Sequence, residues 1–265
     1  MTCLITGATG NVGALVVERL LARGERPRVF VRDAEKARAR YGDSVDVFTG
    51  DLADIGTLQP ARDEAAAKAA KAAGVRRLVK LSSIDAREQN VGTGVWHARG
   101  ESAIRATGIT FTFVQPSGFM VNALYWARSI KAEGVVRSST GDGRIPFIHS
   151  ADIADVATEA LTTQEYEGES LPITGPEALS YAGMTAKIAA AIGRPLTFQA
   201  ISEEQERKQQ IAWGAPEPLV EARLSIFRAI RAGRLAEVTG TVERVLGRKP
   251  ATFDQWAREN ASAFR

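Results

Sequence analysis

One stretch, CLITGATGNVGALVVERLLARG at residues 3–24, constrains this chain more than any other. TCLITG is a short apolar run that reads as a buried strand ending on glycine. NVGALVVERLLARG follows with apolar residues at helical spacing and Gly24 as its stop signal. Between them Gly7, Gly10 and Gly13 stand in the spacing G-x-x-G-x-x-G. Glycines there permit the tight turn, the approach of backbone to a pyrophosphate, and close helix–strand packing. The helix N-terminus then presents N–H groups and partial positive charge to the phosphates. A glycine motif alone is weak evidence. Strand, loop and helix in this order within the first 22 residues point to a dinucleotide site.

The next segments repeat the alternation. PRVFV, VDVFTGD, RRLVKLSS and TFTFVQP, which ends at Pro116, read as strands. DAEKARARYG, with Asp33 as its N-cap, and the Ala-rich RDEAAAKAAKAAG read as helices, and a third starts near Gly94 and ends in GESAIRATG. This predicts an α/β fold: a Rossmann-like doubly wound parallel sheet covered on both faces, over residues 1–150. After residue 150 come the amphipathic helix SADIADVATEALTT, starting at a Ser or Asp cap, a strand LTFQAI and several helices through FDQWARENASAF. They predict a smaller, mainly helical, substrate-binding lobe over 151–265, with some chain crossing between the two.

The second strand bears on which nucleotide fits. An acid at its tip would hold the ribose 2′-OH of NAD, and an arginine would accommodate the 2′-phosphate of NADP. VFVRD offers both Arg32 and Asp33. Arg32 comes first and Asp33 is occupied as a cap, so NADP(H) is favoured over NAD(H).

Composition narrows the rest. Lys and Arg total 34 against 31 Asp and Glu, and basic residues are spread without a block, so no nucleic-acid partner is expected. One cysteine, Cys3, excludes an intrachain disulfide, and with only two histidines no metal site is expected. The N-terminus does not read as a signal peptide, and no long apolar run predicts a membrane span, so a cytoplasmic location is expected. A homodimer is compatible with the sequence, which does not itself read oligomeric state.

One stretch departs from the pattern. Between Asp51 and Val75 a doubly wound fold should supply a helix, a strand and a second helix, yet the residues there contain no apolar strand. The choice is between a lost strand and a segment skipped near Pro60–Arg62, and the second is preferred. A skip would separate two adjacent Cα atoms there by much more than about 3.8 Å.

GATGNVG, VRD, GDLAD, VKLSS, ATGITFTFVQPSGFM and IPFIHSADIADVA together resemble the NmrA-like group of atypical short-chain dehydrogenase/reductases, in its quinone reductase and triphenylmethane-dye reductase branch. The resemblance implies that Gly7, Thr9, Gly10, Asn11, Val12 and Gly13 line the pyrophosphate loop and that Arg32 meets the 2′-phosphate. It places Asp51 and Leu52 by the adenine and Ser82 and Ser83 beside the nicotinamide ribose. Pro116, Ser117 and Phe119 would border the nicotinamide, Asp152 would cap its helix, and His149 would be a structural hydrogen-bonder. Trp96, Met120, Asn122 and Trp126 are candidates for an apolar substrate slot.

His97 is the open question. Typical members of the wider superfamily carry Tyr-x-x-x-Lys; here His97 takes the lysine position and Thr93 the tyrosine position. His97 and Glu101 share a helix face at i, i+4, so Glu101 is expected to orient the imidazole and raise its pKa. That would make His97 a ribose ligand, a catalytic proton source, or one half of a helix-face ion pair without chemistry. The resemblance implies an NADPH-dependent reductase delivering hydride to a planar, electron-poor substrate such as a quinone or aromatic polyketide. Two other readings stay open: a non-catalytic NADP-binding redox sensor or regulator, and a biosynthetic tailoring enzyme with non-redox chemistry.

Overall fold

The computed structural model describes residues 3–51, 59–87 and 91–265, without the side chains of 59–64. The chain divides into two compact units. One comprises residues 1–82, 96–115 and 150–171; the other comprises 83–95, 116–149 and 172–265.

In the first unit β1 (Leu4–Thr6), β2 (Arg28–Val31) and β3 (Asp46–Thr49) form a parallel sheet in the order β1-β2-β3. Helices α1 (Gly13–Ala22) and α2 (Ala34–Tyr41) make the crossovers. A second sheet has the order β4-β5-β8, from β4 (Arg77–Leu81), β5 (Thr110–Pro116) and β8 (Ser170–Ile173), with β4 and β5 parallel. α3 (Gln59–Ala72) leads into β4, α4 (Gly94–Ala106) runs between β4 and β5, and α6 (Ser150–Thr162) comes before β8. Parallel strands linked by helices are the Rossmann-like arrangement expected from the alternating pattern.

Helix α1 buries Ala14, Val16, Val17 and Leu20 along one stripe and packs on α6, whose Ile153, Ala154 and Val156 are fully buried. Across the second sheet Phe113 of β5 packs with Ala67 of α3 and Ile104 of α4. Burying a phenylalanine of this kind contributes roughly 1.5–3 kcal/mol.

Pro60–Arg62 lie in the first turns of α3, which runs from Gln59 to Ala72. Residues 52–58 lie outside the described part. Among the described residues no strand separates β3 from β4 in sequence, and β1 and β4 each have a neighbour on one edge only. Leu4, at the start of β1, is 56 % exposed, and Leu81, at the end of β4, is 40 % exposed.

In the second unit β6 (Val135–Ser138) pairs parallel with β10 (Thr197–Ala200), and β7 (Arg144–Ile145) pairs antiparallel with β9 (Leu179–Ser180). Around them stand α5 (Ala127–Glu133), α7 (Tyr181–Ile192), α8 (Glu203–Ala212), α9 (Glu217–Arg231), α10 (Thr241–Leu246) and α11 (Phe253–Glu259). The core of this unit is aromatic: Tyr181 lies 5.0 Å from Trp126 and 6.0 Å from Phe147, and Trp256 packs between Phe253 and Phe264. No described helix is long and apolar enough to cross a membrane.

Candidate functional site

Two positions of the glycine loop demand glycine, for different reasons. Gly7 has φ +64°, a left-handed conformation that favours glycine, and its carbonyl accepts from the Gly10 amide at 2.9 Å. A Cβ on Gly13 would stand 2.3 Å from the Gly7 oxygen, well inside contact distance. The start of α1 has no side-chain cap and no acidic residue in its first turn. An uncapped helix end free of carboxylates is where a pyrophosphate is stabilised, so these residues fit a dinucleotide. Thr9 is half-buried and Asn11 exposed at this end, while Val12 turns inward.

Tyr41, at the end of α2, was not visible as a site residue. Its hydroxyl donates to the Ala8 carbonyl at 2.5 Å and ties α2 to the loop. Burial raises the Tyr41 pKa, so it remains a donor at neutral pH. Tyr41→Phe is expected to cost about 1 kcal/mol, or about 2–4 °C in Tm by thermal melting, since a buried acceptor loses its partner.

At the tip of β2, Asp33 caps α2 by accepting from the Lys36 amide at 3.0 Å, as expected. Arg32 beside it is exposed. Asp51 is half-buried at the start of the next segment, and Leu52 lies outside the described residues.

The end of β4 and the first turns of α4 form the second cluster, which corrects the reading of Glu101. Its carboxylate does not reach the imidazole; Ser82 donates to Oε1 at 2.5 Å and Gln115 donates to the same oxygen at 2.8 Å. A buried carboxylate is costly without donors, and these two neighbours in the fold supply them better than a half-buried histidine. Arg105 stands 3.6 Å from the other oxygen.

His97 faces Lys80 instead, with Nζ 3.4 Å from Nδ1. Burial, and next the Lys80 charge, lower the His97 pKa to about 4, opposite to the expected rise. In the unfolded chain the group titrates near its ordinary value of about 6.5. Between these values the unfolded chain binds more protons, so His97 makes stability fall as pH drops from about 6.5 toward 4. Acid melts should show that slope in the parent and a shallower one in His97→Gln.

Trp96 is half-buried beside His97 in sequence. Of the remaining expected residues, all but Asp152 belong to the second unit. Ser83 is half-buried and Pro116 buried. Ser117 is committed to backbone: its hydroxyl donates to the Pro146 carbonyl at 2.5 Å and its amide to the Ile173 carbonyl at 2.9 Å. Phe119 bridges to Ile148 as a half-buried residue. Asn122 is exposed. Met120 and Trp126 lie in the aromatic core of this unit, as packing residues. His149 bonds Glu259 at 3.0 Å, the structural role expected of it. Asp152 is buried in the first turn of α6, which begins at Ser150, and so stands inside the helix instead of capping it from outside.

The parallel strands, the glycine turn and the open helix end define an α/β protein of the Rossmann-like dinucleotide-fold class. A model of the NmrA-like family matches residues 1–257, and the chain belongs to that family. It is 36 % identical to an NAD(P)H azoreductase of Xenophilus azovorans, over 98 % of each chain. It is equally 36 % identical to a (4-alkanoyl-5-oxo-2,5-dihydrofuran-3-yl)methyl phosphate reductase of Streptomyces griseus, again over 98 % of each. These alignments run over 282 and 280 positions, longer than the chain of 265, so both relatives carry residues that have no counterpart here. In fold, the chain is similar to the NADPH complex of a quinone oxidoreductase from Escherichia coli, with TM-score 0.86, 23 % identity and coverage of 98 % and 99 %.

Proposed function

We propose that this protein is an NADPH-dependent reductase that passes hydride to a planar, electron-poor conjugated substrate, with quinones as the class to try first. The observation that carries this reading is the glycine loop, whose closed turn and uncapped helix end suit a dinucleotide pyrophosphate. Kinship at 36 % to two proteins named as reductases supports it.

Arg32, exposed beside the occupied cap Asp33, would hold the 2′-phosphate and favour NADPH. Gly7, Thr9, Gly10, Asn11, Val12 and Gly13 would seat the pyrophosphate, with Asp51 toward the adenine. Ser82, held by Glu101, would meet the ribose. The reduced nicotinamide supplies two electrons and one proton together as hydride when bound. His97, with a pKa near 4, is a poor proton source at neutral pH. An acceptor whose reduced form takes its proton from water suits that, and the protein then contributes position.

The test is a fluorescence titration with NADPH and with NADH, followed by addition of a simple quinone and of an azo dye. NADPH binding with acceptor-dependent oxidation is expected. Binding of neither nucleotide would overturn the reading. Binding without turnover of either acceptor would move it to the sensor.

A further inference from the structure

We propose that Lys80 is a positioning residue that fixes His97 as a neutral imidazole with its proton on Nε2, so that His97 offers a permanent hydrogen-bond donor. The role toward a bound nucleotide rests on the reductase reading; the tautomer rests on this unit alone.

Lys80 comes from β4 and His97 from the first turns of α4, and both belong to one compact unit. Lys80 is only 8 % exposed, an unusual position for a lysine within a strand. Its Nζ lies 3.4 Å from His97 Nδ1 and the same distance from the Leu81 carbonyl. An ammonium has donors and no acceptor, so Nδ1 must accept. A neutral imidazole has one donor and one acceptor, which leaves the proton on Nε2.

The neighbouring charges agree. Lys80 is the charge acting on the ring from β4. On the ring's own helix, Glu101 is the near acid, and its carboxylate is engaged by Ser82 and Gln115. The N-terminal end of α4 adds partial positive potential, which also disfavours an imidazolium. His97 therefore keeps one protonation state across the neutral range, and what it gives a ligand is direction.

The chain has two histidines, so nitrogen-15 histidine labelling of the full protein gives two ring systems, with His149 as internal reference. His97 is expected to show the Nε2–H tautomer unchanged from about pH 8 to 5.5, a window above its lowered pKa. Lys80→Met is expected to mix the two tautomers and move the His97 titration upward, because a nearby like charge is gone. Lys80→Arg, which keeps a donor cation, should restore the parental pattern. An Nδ1–H tautomer or an imidazolium at neutral pH in the parent would overturn the proposal, as would an unchanged ring in Lys80→Met. If Lys80→Met does not fold, the parent and Lys80→Arg spectra still decide. Nucleotide titration of the same samples separates this result from the reductase reading, because the spectra need no bound nucleotide.

Discussion

Gly13→Ala is expected to abolish useful nucleotide binding, weakening NADPH by at least about 100-fold, which corresponds to about 2.7 kcal/mol. The added carbon would stand 2.3 Å from the Gly7 oxygen and 2.8 Å from the Gly7 carbonyl carbon. Both are backbone atoms, so no side chain can swing away to relieve the contact. The loop itself must open, which displaces the turn at Gly7 and the bond from the Gly10 amide. The opened loop no longer cups an anion at the end of α1. Nicotinamide fluorescence measures the effect, and melting of the free protein separates it from global unfolding. Affinity within about threefold of the parent, a difference of about 0.7 kcal/mol, would show that the pyrophosphate does not sit on this loop.

Arg32→Ala should weaken NADPH by about 10-fold to 100-fold and leave NADH nearly unchanged, because a charge-assisted bond to phosphate is worth about 1.5–3 kcal/mol. The contrast between the two nucleotides carries the information. Arg32 is exposed and its removal leaves no cavity, so a stability effect cannot imitate the result. Equal weakening of both nucleotides would place Arg32 elsewhere than at the 2′-phosphate. The Asp33 cap stays in place throughout and serves as the internal control on β2 geometry.

Much of the first unit was legible because its signals are local. Strand periodicity, the glycine spacing and the Asp33 cap each act within a few residues, and each appears where it was read. Two kinds of feature escaped. The first is choice of partner: helix geometry allows Glu101 to meet His97, but Ser82 and Gln115, distant in sequence, bind the carboxylate instead. Spacing along a helix cannot weigh a partner contributed by another strand. The second is the side on which an aromatic falls. Met120 and Trp126 sit at spacings equally suited to a pocket wall or a packed core, and the fold commits them to the core. Lys80 did leave a trace, a cation within the apolar run RRLVKLSS, where a strand residue without a polar partner would be costly. Tyr41 left none, because its role depends on the approach of α2 to Ala8.

The single-sided pairing of β1 and β4 has a consequence for handling the molecule. Among the described residues β1 and β4 each stand at the end of their sheet's strand order, and Leu4 and Leu81 on them are exposed. Such edges are templates for another chain. Self-association through them depends on concentration, so a dilute sample and a concentrated one should age differently at the same temperature. Losses to aggregation would then begin on the strands that flank the glycine loop and the Lys80 cluster, and nucleotide affinity would fade before the helices of the second unit melt.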